Sequence, residues 1–428
     1  MKKVLLALIL FPLLGNAQVT TDTVGFMHYN LLNYRNITTY CTASNNSPSA
    51  KEGYMKTIIG HLLPDIITVN EMAGDGGTAA RRLLDNALNK DGRTYFKQCA
   101  YAGNSSLCNM LYYNKNKFIL YNQSKIERAL NNSFLVRLID VYTLYYNDVK
   151  KLNEGDTTYL TVYVAHLKAG STSSDQAERK EMTDAIMKHH EENYSDHNYF
   201  IAGDFNVRSA NEASYKSLVQ NSNSNLDFKD PINRSGSWNN SSTFASIHTQ
   251  STKSSSNGCA SSGALDDRFD FILCGQEVIS DTRGISYVPG SYTAVGNDGK
   301  HFNQSLISPA NNSVPSNVLT ALYNMSDHLP VYMKLSIGRS VNSSNDLQFS
   351  NQLIINNPVN NMLYWKMQVP TNGRFELRDI QGKLVYDEQI VISQTWIQSD
   401  VSVLTKGTYY ASFYGENGGV VRRKIVKM

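Results

Sequence analysis

Short apolar runs that end in polar residues recur along the chain between residues 24 and 335. Residues 24–31 alternate and are rich in strand-favouring types, which predicts a strand. Residues 51–63 place apolar side chains three or four positions apart, which predicts a helix. Further strands are predicted at residues 66–69, 109–113, 118–121, 138–147, 158–165, 199–202, 269–273 and 331–335, and further helices at residues 79–88 and 177–190. The strands on either side of residues 114–117 are expected to form a hairpin, and the whole pattern indicates a two-sheet α/β domain.

Two polar stretches interrupt this pattern. Residues 233–263 are rich in Ser, Asn and Gly, which predicts a long surface loop or a mobile lid. Residues 338–349 are predicted to be a linker, because the pattern after them contains strands only. Alternation on both sides of Gln381 and Gly382 is typical of a hairpin. Residues 350–428 are therefore expected to form a small all-β sandwich domain.

The first residues have the features of a secretory signal peptide. Lys2 and Lys3 precede an apolar run, and small residues at Gly15 and Ala17 predict cleavage after Ala17. No later segment is long and apolar enough to suggest a membrane span, so stable membrane insertion is not expected. The mature chain is predicted to act outside the cytoplasm.

Net charge and cysteine content narrow the choice of chemistry. The formal net charge is +3, and it would be +1 without Lys2 and Lys3, so binding to nucleic acid through a broadly basic surface is not indicated. A metal ion could supply positive charge locally instead. The chain has five cysteines, which permits disulfides in an exported protein but leaves their pairing open and one thiol over. Their spacing does not suggest zinc.

Two sequence motifs combine residues with catalytic potential. Asp204 and Asn206 follow a predicted strand in the sequence GDFN, where a carboxylate could polarise water and an amide could donate to an oxyanion. A simple turn is the alternative, since Gly, Asp and Asn all favour turns. Asp327 and His328 stand together just before another strand, where they could orient a nucleophile or bind metal. A surface Asp-His pair is the alternative there.

Three more polar residues close predicted strands. Asn30 and Glu71 offer the oxygen ligands that Mg²⁺ prefers, although a lone glutamate at a strand end is often only solvated. His166 ends an apolar strand, where a histidine satisfied by the backbone is the usual alternative. All of these residues lie where strands meet loops, which is where α/β sheets place their ligand sites.

Taken together, these motifs resemble the endonuclease/exonuclease/phosphatase superfamily across residues 24–335. The matching stretches are YN at 29–30, NE at 70–71, HL at 166–167, GDFN at 203–206, RFDFI at 268–272 and SDH at 326–328. The resemblance implies a four-layer α/β/β/α sandwich, with two mixed sheets flanked by helices, over residues 18–337. It also implies hydrolysis of phosphate esters with a divalent metal.

The resemblance implies metal ligands. Glu71, supported by Asn30, would hold the main ion, which would be Mg²⁺ or Mn²⁺. Asp327 could hold a second metal or assist the attacking water. Ca²⁺ in a structural role is a further possibility that the sequence leaves open.

The resemblance also implies catalytic roles. Asp204 would position or activate the attacking water, and Asn206 would stabilise the charged transition state. His328 would contact the phosphate or transfer a proton, with Asp270 fixing its tautomer. His166 would be the acid on the side of the leaving oxygen.

Two cationic side chains are candidate substrate contacts. Arg137 could bind phosphate, or it could be an ordinary arginine on a strand surface. Lys168 follows His166 by two positions and could reach the same side. Deoxyribonuclease-like relatives carry a tyrosine and a glutamate before the strand at residues 110–113, and no such pair is found at residues 104–109.

Residues 350–428 resemble the C-terminal sorting domain of the Bacteroidetes type IX (Por) secretion system. The matching stretches are NPV at 357–359, LRDIQGK at 377–383, residues 404–409 and KIVK at 424–427. The resemblance implies passage from the periplasm through the outer-membrane secretion machinery to the medium or the cell surface. A carbohydrate- or surface-binding β-module is the alternative.

A nuclease that cleaves extracellular DNA or RNA is the function that the sequence favours. A phospholipid phosphodiesterase like sphingomyelinase would need an exposed apolar loop, and no strong aromatic cluster precedes Asp270. A small-molecule phosphatase would need a narrow basic pocket. A binding protein that lost the chemistry is not favoured, because the acidic and histidine positions are filled.

Overall fold

The computed structural model describes residues 20–103, 105–153, 155–339, 353–367, 372–380, 383–390, 396–415 and 420–428. The predicted signal peptide, most of the predicted linker at 338–349, and the turn at Gln381 and Gly382 lie outside these residues. Residues Thr21–Arg339 form one compact unit, here the first unit. The described residues from 353 onward belong to a second, the C-terminal unit.

The first unit contains thirteen strands and seven α-helices among its described residues. The strands are β1 (Thr20–Tyr34), β2 (Ile66–Ala73), β3 (Phe96–Gln98), β4 (Leu107–Asn114), β5 (Phe118–Arg128), β6 (Phe134–Tyr146), β7 (Tyr159–His166), β8 (Asn198–Asp204), β9 (Phe228–Lys229), β10 (Asp270–Gly275), β11 (Ile285–Tyr287), β12 (Thr293–Ala294) and β13 (Val331–Arg339). The helices are α1 (Pro48–Leu62), α2 (Thr78–Leu83), α3 (Val149–Asn153), α4 (Ser173–Glu192), α5 (Ala213–Val219), α6 (Gln276–Ser280) and α7 (Ser316–Met325). A π-helical turn, Leu84–Leu88, continues α2, and short 3₁₀ helices form at Ser224–Leu226 and Ser242–Ile247.

The strands form two mixed sheets. The first has the order β11-β13-β1-β2-β4-β3, with β12 also paired to β13. The second has the order β5-β6-β7-β8-β10-β9. The pairs β1–β2 and β7–β8 are parallel, whereas β2–β4 and β8–β10 are antiparallel. Each sheet thus has a parallel pair at its centre.

The two sheets pack face to face and carry helices on their outer faces. Phe26 of β1 meets Phe200 of β8 edge to face, with ring centroids 5.6 Å apart. Helices α1 and α7 pack beside each other against the first sheet, and α4 and α5 pack together against the second. The predicted four-layer α/β/β/α sandwich is therefore confirmed.

The predicted hairpin at residues 109–121 is wrong. β4 belongs to the first sheet and β5 to the second, so residues 114–117 carry the chain from one sheet to the other. β4 lies between β2 and β3 in the first sheet. Its side chains are buried on both faces of that sheet. Neighbouring apolar runs alone do not distinguish a hairpin from a crossing between sheets.

The polar stretch at residues 233–263 is partly an interior element. It holds a 3₁₀ helix at Ser242–Ile247 and otherwise little regular structure. Trp238, Thr249 and Thr252 are fully buried, whereas residues 254–258 are exposed. Part of the stretch is therefore packed in the interior of the first unit, which the prediction of a surface loop or mobile lid did not include, and the rest lies at the surface.

The C-terminal unit is built from antiparallel strands. Its strands are β14 (Leu353–Ile355), β15 (Met362–Met367), β16 (Gly373–Asp379), β17 (Leu384–Ile390), β18 (Ile397–Asp400), β19 (Gly407–Gly415) and β20 (Val420–Lys427). They form the sheets β14-β15-β18 and β17-β16-β19-β20. Trp365 stacks on Phe375 at 4.1 Å and joins the two sheets in one core. The predicted all-β domain is confirmed.

Among the helices that the structure describes, none has the length and apolar character of a membrane span.

Candidate active site

The strand ends bring the predicted site residues together. Asn30 lies on β1 and Glu71 on β2 in the first sheet. His166 and Asp204 are the last residues of β7 and β8, and they are directly opposite each other in that parallel pair. Asp270 opens β10 and pairs with Asp204 on the other side. One edge of the sandwich therefore collects side chains from four central strands and from β10.

Glu71, His166 and Asp204 offer ligand atoms that all lie within 4.8 Å of one another. His166 Nε2 is 3.5 Å from Asp204 Oδ2 and 3.8 Å from Glu71 Oε1. The two carboxylates supply the oxygen ligands that suit Mg²⁺ and Mn²⁺. The donor set of this cluster therefore fits the divalent cation that the sequence resemblance implies.

Asn30 holds the two carboxylates of the cluster side by side. Its Nδ2 donates to Glu71 Oε1 at 3.1 Å and to Asp204 Oδ2 at 3.0 Å. Its Oδ1 accepts from the backbone N–H of Leu32 at 2.9 Å. With its oxygen occupied in this way, Asn30 supports the carboxylates through its amide donors.

Glu71 stands on a distorted part of β2. Its φ is 58°, in the left-handed region that side chains other than glycine seldom adopt. The β2–β4 register shifts between Val69 and Met72, as a β-bulge does. The backbone N–H of Asn33 donates to Glu71 Oε2 at 2.9 Å. The bulge turns a side chain that regular alternation would aim elsewhere toward the end of the sheet.

Asp204 is a buried carboxylate in an unfavourable environment. Its pKa is raised to about 7, chiefly by burial and also by the nearby Asp270 and Glu71 carboxylates, with His328 acting in the opposite direction. Its backbone N–H donates to Asn70 Oδ1 at 2.9 Å. A cation beside Asp204 would stabilise the ionised form that burial disfavours.

Asp270 and His328 form a tight pair next to Asp204. His328 Nδ1 lies 2.7 Å from Asp270 Oδ2, and His328 Nε2 lies 3.7 Å from Asp204 Oδ2. Burial acts to lower the pKa of His328, but the Asp270 and Asp204 carboxylates outweigh it and raise the pKa well above the usual value. Asp270 thus accepts the Nδ1 proton, and the ring directs Nε2 toward Asp204. The side-chain amide of Gln250 lies 2.7 Å from Nε2, and beside the protonated ring it is the amide oxygen, in the flipped amide orientation, that accepts from Nε2.

His166 has the opposite electrostatic environment. Burial lowers the pKa of His166 well below its usual value, and the charge of Arg137 lowers it further. Arg137 donates from Nη1 to Leu167 O at 2.7 Å. Burial lowers the pKa of Arg137 as well, against the carboxylates of Glu71 and Asp204. Arg137 therefore lies close to the cluster, and within the described residues one carbonyl accepts from its five donors.

Asn206 sits immediately beyond β8. Its backbone N–H donates to Asp204 Oδ1 at 3.0 Å, and its side-chain amide donates to Leu167 O at 3.2 Å. Its φ is 52°, in the left-handed region that asparagine tolerates better than most residues. Strained backbone at Glu71 and Asn206 is thus found on both sides of the cluster.

Two predicted residues lie outside the close cluster. Asp327 is buried, and its Oδ2 accepts from the backbone N–H of Ser261 at 2.7 Å. Its Oδ1 has no hydrogen-bond partner within the described parts of the chain, and it does not join the group of close ligand atoms. Lys168 pairs with Asp175 at 2.5 Å at the start of α4, so its charge is directed away from the cluster.

An interior network that the sequence did not reveal supports Asp204. Asn70 donates from Nδ2 to Asn109 Oδ1 at 2.7 Å, and Asn109 donates to Asp140 Oδ2 at 3.1 Å. A small cavity beside His166 is lined by Asn109, Asp140 and Arg137, among others. His166 has no hydrogen-bonded carboxylate among the described residues; Asp204 lies 3.5 Å and Glu71 3.8 Å from its Nε2. The sequence feature that could have indicated this network is the presence of polar residues within strands that are predicted to be buried.

His28, Gln250 and Lys51 were also missed. His28 precedes Asn30 by two positions on β1, so strand alternation could have placed it on the same face. Gln250 follows the Ser-rich stretch and carried no motif. Lys51 is buried and donates to Leu31 O and Leu32 O at 2.6 Å each. The helical pattern gave no indication that its ammonium folds under the end of β1.

The comparisons with known proteins concern both units. Residues 354–428 match the family model of the secretion system C-terminal sorting domain. No curated protein matches the chain in sequence. D. rerio TDP2 complexed with single strand DNA product is 12% identical, with a TM-score of 0.45, over 73% of this chain and 99% of that chain. The human Nocturnin catalytic domain with bound sulfate anion is 15% identical, with a TM-score of 0.44, over 74% and 97%.

A third similar structure is an endonuclease/exonuclease/phosphatase family protein from Bacteroides thetaiotaomicron. It is 12% identical, with a TM-score of 0.46, and the match covers 75% of this chain and 97% of that chain. These are similarities of fold, and function has to be argued from the side chains. The predicted sorting domain is confirmed at residues 354–428, and an endonuclease/exonuclease/phosphatase family protein is among the structures that the chain is similar to.

Proposed function

We propose that this protein is an exported phosphodiester hydrolase that depends on Mg²⁺ or Mn²⁺ and cleaves nucleic acid. One observation carries the proposal: Glu71, His166 and Asp204 converge within 4.8 Å, next to the paired Asp270 and His328. Such a cluster combines a cation site with a charged proton donor in one buried location. A binding protein would not need both.

The cation site is assigned to Glu71 and Asp204, with neutral His166 as the third donor. A bound divalent ion would supply Lewis-acid stabilisation of the charge that develops on the phosphate oxygens. The low pKa of His166 keeps its ring neutral at neutral pH, with one nitrogen free to bind metal. A neutral ring suits a metal ligand better than the acid role that the sequence resemblance implies. Asp327 is kept as a support for the attacking water or as a ligand of a second ion.

Proton transfer and charge stabilisation are assigned to the remaining side chains. His328 holds a proton at neutral pH and can donate it from Nε2 to a phosphate or leaving oxygen. Asp204 is assigned to orient the attacking water, and the amide of Asn206, which also donates to Leu167 O, is assigned to donate to the transition state. Arg137 contributes its free donors to a phosphate oxygen.

The C-terminal unit supplies the route of export in this proposal. Its match to a sorting domain supports transfer by an outer-membrane secretion machinery to the surface or the medium. Such a location fits an enzyme that degrades polymer outside the cell. We expect a chain that lacks residues 354–428 to remain in the periplasm, which fractionation with an antibody to the first unit would detect.

A substrate panel tests the proposed activity. Supercoiled plasmid, single-stranded DNA, RNA, sphingomyelin and an inositol phosphate would each be incubated with Mg²⁺ or Mn²⁺, and with EDTA. We expect metal-dependent nicking of plasmid that EDTA abolishes. Asp204→Ala and His328→Ala should remove activity while the thermal midpoint stays near that of the native protein. Hydrolysis of sphingomyelin without nicking would replace nucleic acid by lipid as the substrate.

One surface feature favours the phospholipid phosphodiesterase as the second candidate. β5 and β6 form a hairpin whose tip carries exposed Leu130 and Phe134, 64% and 70% accessible, followed by half-exposed Val136. Arg137 comes next and reaches Leu167 beside the cluster, so the apolar tip lies at the active end of the second sheet. Exposed apolar side chains can enter a lipid interface. Leu130→Ser with Phe134→Ser should then reduce cleavage of vesicle lipid and spare soluble substrates.

A further inference from the structure

His28 is a buried histidine that the catalytic assignment above does not use. It lies on β1, two residues before Asn30, and its side chain is fully buried between the sheets. The parallel β1–β2 register sets His28 beside Thr68. Its Nδ1 is 3.0 Å from Thr68 Oγ1, which is a hydrogen-bond distance.

The other nitrogen of His28 faces the back of the Asp270–His328 pair. His28 Nε2 lies 3.8 Å from Asp270 Oδ1, and both side chains are fully buried. Within the described residues, neither of these two atoms has a hydrogen-bond partner. Asp270 Oδ2, by contrast, is 2.7 Å from His328 Nδ1. Each carboxylate oxygen of Asp270 therefore faces a different histidine, Oδ1 facing His28 and Oδ2 facing His328.

The direction of the hydrogen bond to Thr68 determines which nitrogen of the neutral His28 ring carries the proton. If the Thr68 hydroxyl donates to Nδ1, the neutral ring has its hydrogen on Nε2, where it faces Asp270. The gap of 3.8 Å is about 0.8 Å longer than a normal N–H···O bond. Catalytic hydrogen bonds are often long before substrate binds and shorten in the complex.

We propose that His28 is a positioning residue that donates from Nε2 to Asp270 Oδ1 and thereby holds Asp270 in the rotamer that orients His328. A carboxylate rotates readily about its last side-chain bond, so a donor on the second oxygen restricts it. The order of contacts is Thr68, His28, Asp270, His328. The effect of His28 on catalysis rests on the proposed function, whereas its effect on the orientation of the His328 ring does not.

Matched substitutions separate the donor from mere packing. His28→Gln keeps an N–H donor at nearly the same reach, whereas His28→Leu keeps the volume and removes the donor. Thr68→Val removes the hydroxyl that sets the tautomer with little change of shape. His190→Leu is the control, because His190 is also buried but packs among aromatic rings near Tyr199, at the other end of β8.

Kinetics on the substrate found by the panel provide the first readout. We expect His28→Leu to lower kcat about 10–100-fold with KM within about twofold, the range found for residues that orient a catalytic ligand. His28→Gln should keep kcat within about threefold, and His190→Leu should leave it unchanged. Equal losses for His28→Leu and His28→Gln would mean that ring packing matters and would overturn the proposal. So would a native kcat in His28→Leu.

Nuclear magnetic resonance of ¹⁵N-histidine-labelled full-length protein provides a readout that needs no activity. The Nδ1–H signal of His328, assigned by its loss in His328→Gln, should persist in His28→Gln and exchange faster or shift in His28→Leu. An unchanged signal in His28→Leu would refute the positioning role. If the panel finds no substrate, the proposed function fails, and this measurement still decides the role of His28.

Discussion

At the scale of single residues, the site is a concentration of charge where water is largely excluded. Asp204, Asp270 and His328 are at most 3% exposed, and Glu71 is only partly accessible. Burial of ionised groups costs free energy unless opposite charge and hydrogen bonds compensate. The Asp270–His328 pair compensates itself. Glu71 and Asp204 share the Asn30 amide and each accept one backbone N–H, and in the proposed function they also depend on a cation.

This dependence predicts stabilisation by metal. Mg²⁺ or Mn²⁺ at 100 times its dissociation constant should raise the free energy of unfolding by about 2.7 kcal/mol. Glu71→Gln and Asp204→Asn should each lose most of this gain, because each removes one carboxylate ligand. Calorimetric melts with metal and with EDTA check this result. Asp281→Asn is the matched control, since Asp281 is exposed and has a left-handed φ of 53° that asparagine tolerates.

A second prediction separates the two candidate substrate contacts. Arg137→Gln should lower kcat/KM about 10–100-fold, because a hydrogen bond between charged groups contributes roughly 1.5–3 kcal/mol. Lys168→Met should change kcat/KM by less than about threefold, because Asp175 already holds its ammonium. Steady-state kinetics at fixed metal concentration measure both. A large loss of kcat/KM for Lys168→Met, together with a native kcat/KM for Arg137→Gln, would reverse the assignment.

At the scale of elements, loops fix the site as firmly as strands do. The chain has one disulfide among its described residues, between Cys41 and Cys259, while Cys99, Cys108 and Cys274 are buried thiols. The disulfide joins the loop after β1 to the segment that carries Ser261. The N–H of Ser261 donates to Asp327, so the disulfide braces a neighbour of His328. Pairs close in sequence, such as Cys99 with Cys108, are not bonded.

Removing this disulfide should weaken both stability and catalysis. Cys41→Ser with Cys259→Ser should lower the free energy of unfolding by about 2–5 kcal/mol, because the bond closes a long loop. Denaturant titration measures the change, and kcat should fall as Asp327 loses its fixed donor. Dithiothreitol should lower the stability and kcat of the native protein to those of the double variant, and it should leave the double variant unaffected. A native protein insensitive to the reductant would contradict the prediction.

At the scale of the whole molecule, the two units have separate cores. All site residues and two apolar clusters lie within Thr21–Arg339, and a third cluster lies in the C-terminal unit. We expect a chain that ends at Arg339 to fold cooperatively and to keep the native kcat/KM. Calorimetry and the plasmid assay test this. A first unit that aggregates or loses activity would show that the C-terminal unit contributes to its folding.

The sequence by itself determined the elements and most of the candidate chemistry. Apolar periodicity located the central strands, and the polar residues that end them, such as Asn30 and Asp204, marked one edge of each sheet. This works because alternation and strand termination are local properties of the chain. For residues whose role depends on a partner from the other sheet, such as His28 and Asn109, the local pattern marks a polar residue in a buried strand but does not identify the partner.

Only the tertiary structure decided how these pieces meet. It separated β4 from β5, paired Cys41 with Cys259 across 218 positions, and turned Glu71 inward through a bulge. It also gave His166 and His328 opposite pKa shifts, although their sequence contexts are similar. Burial and neighbouring charge set a pKa, and both arise only when distant segments pack together.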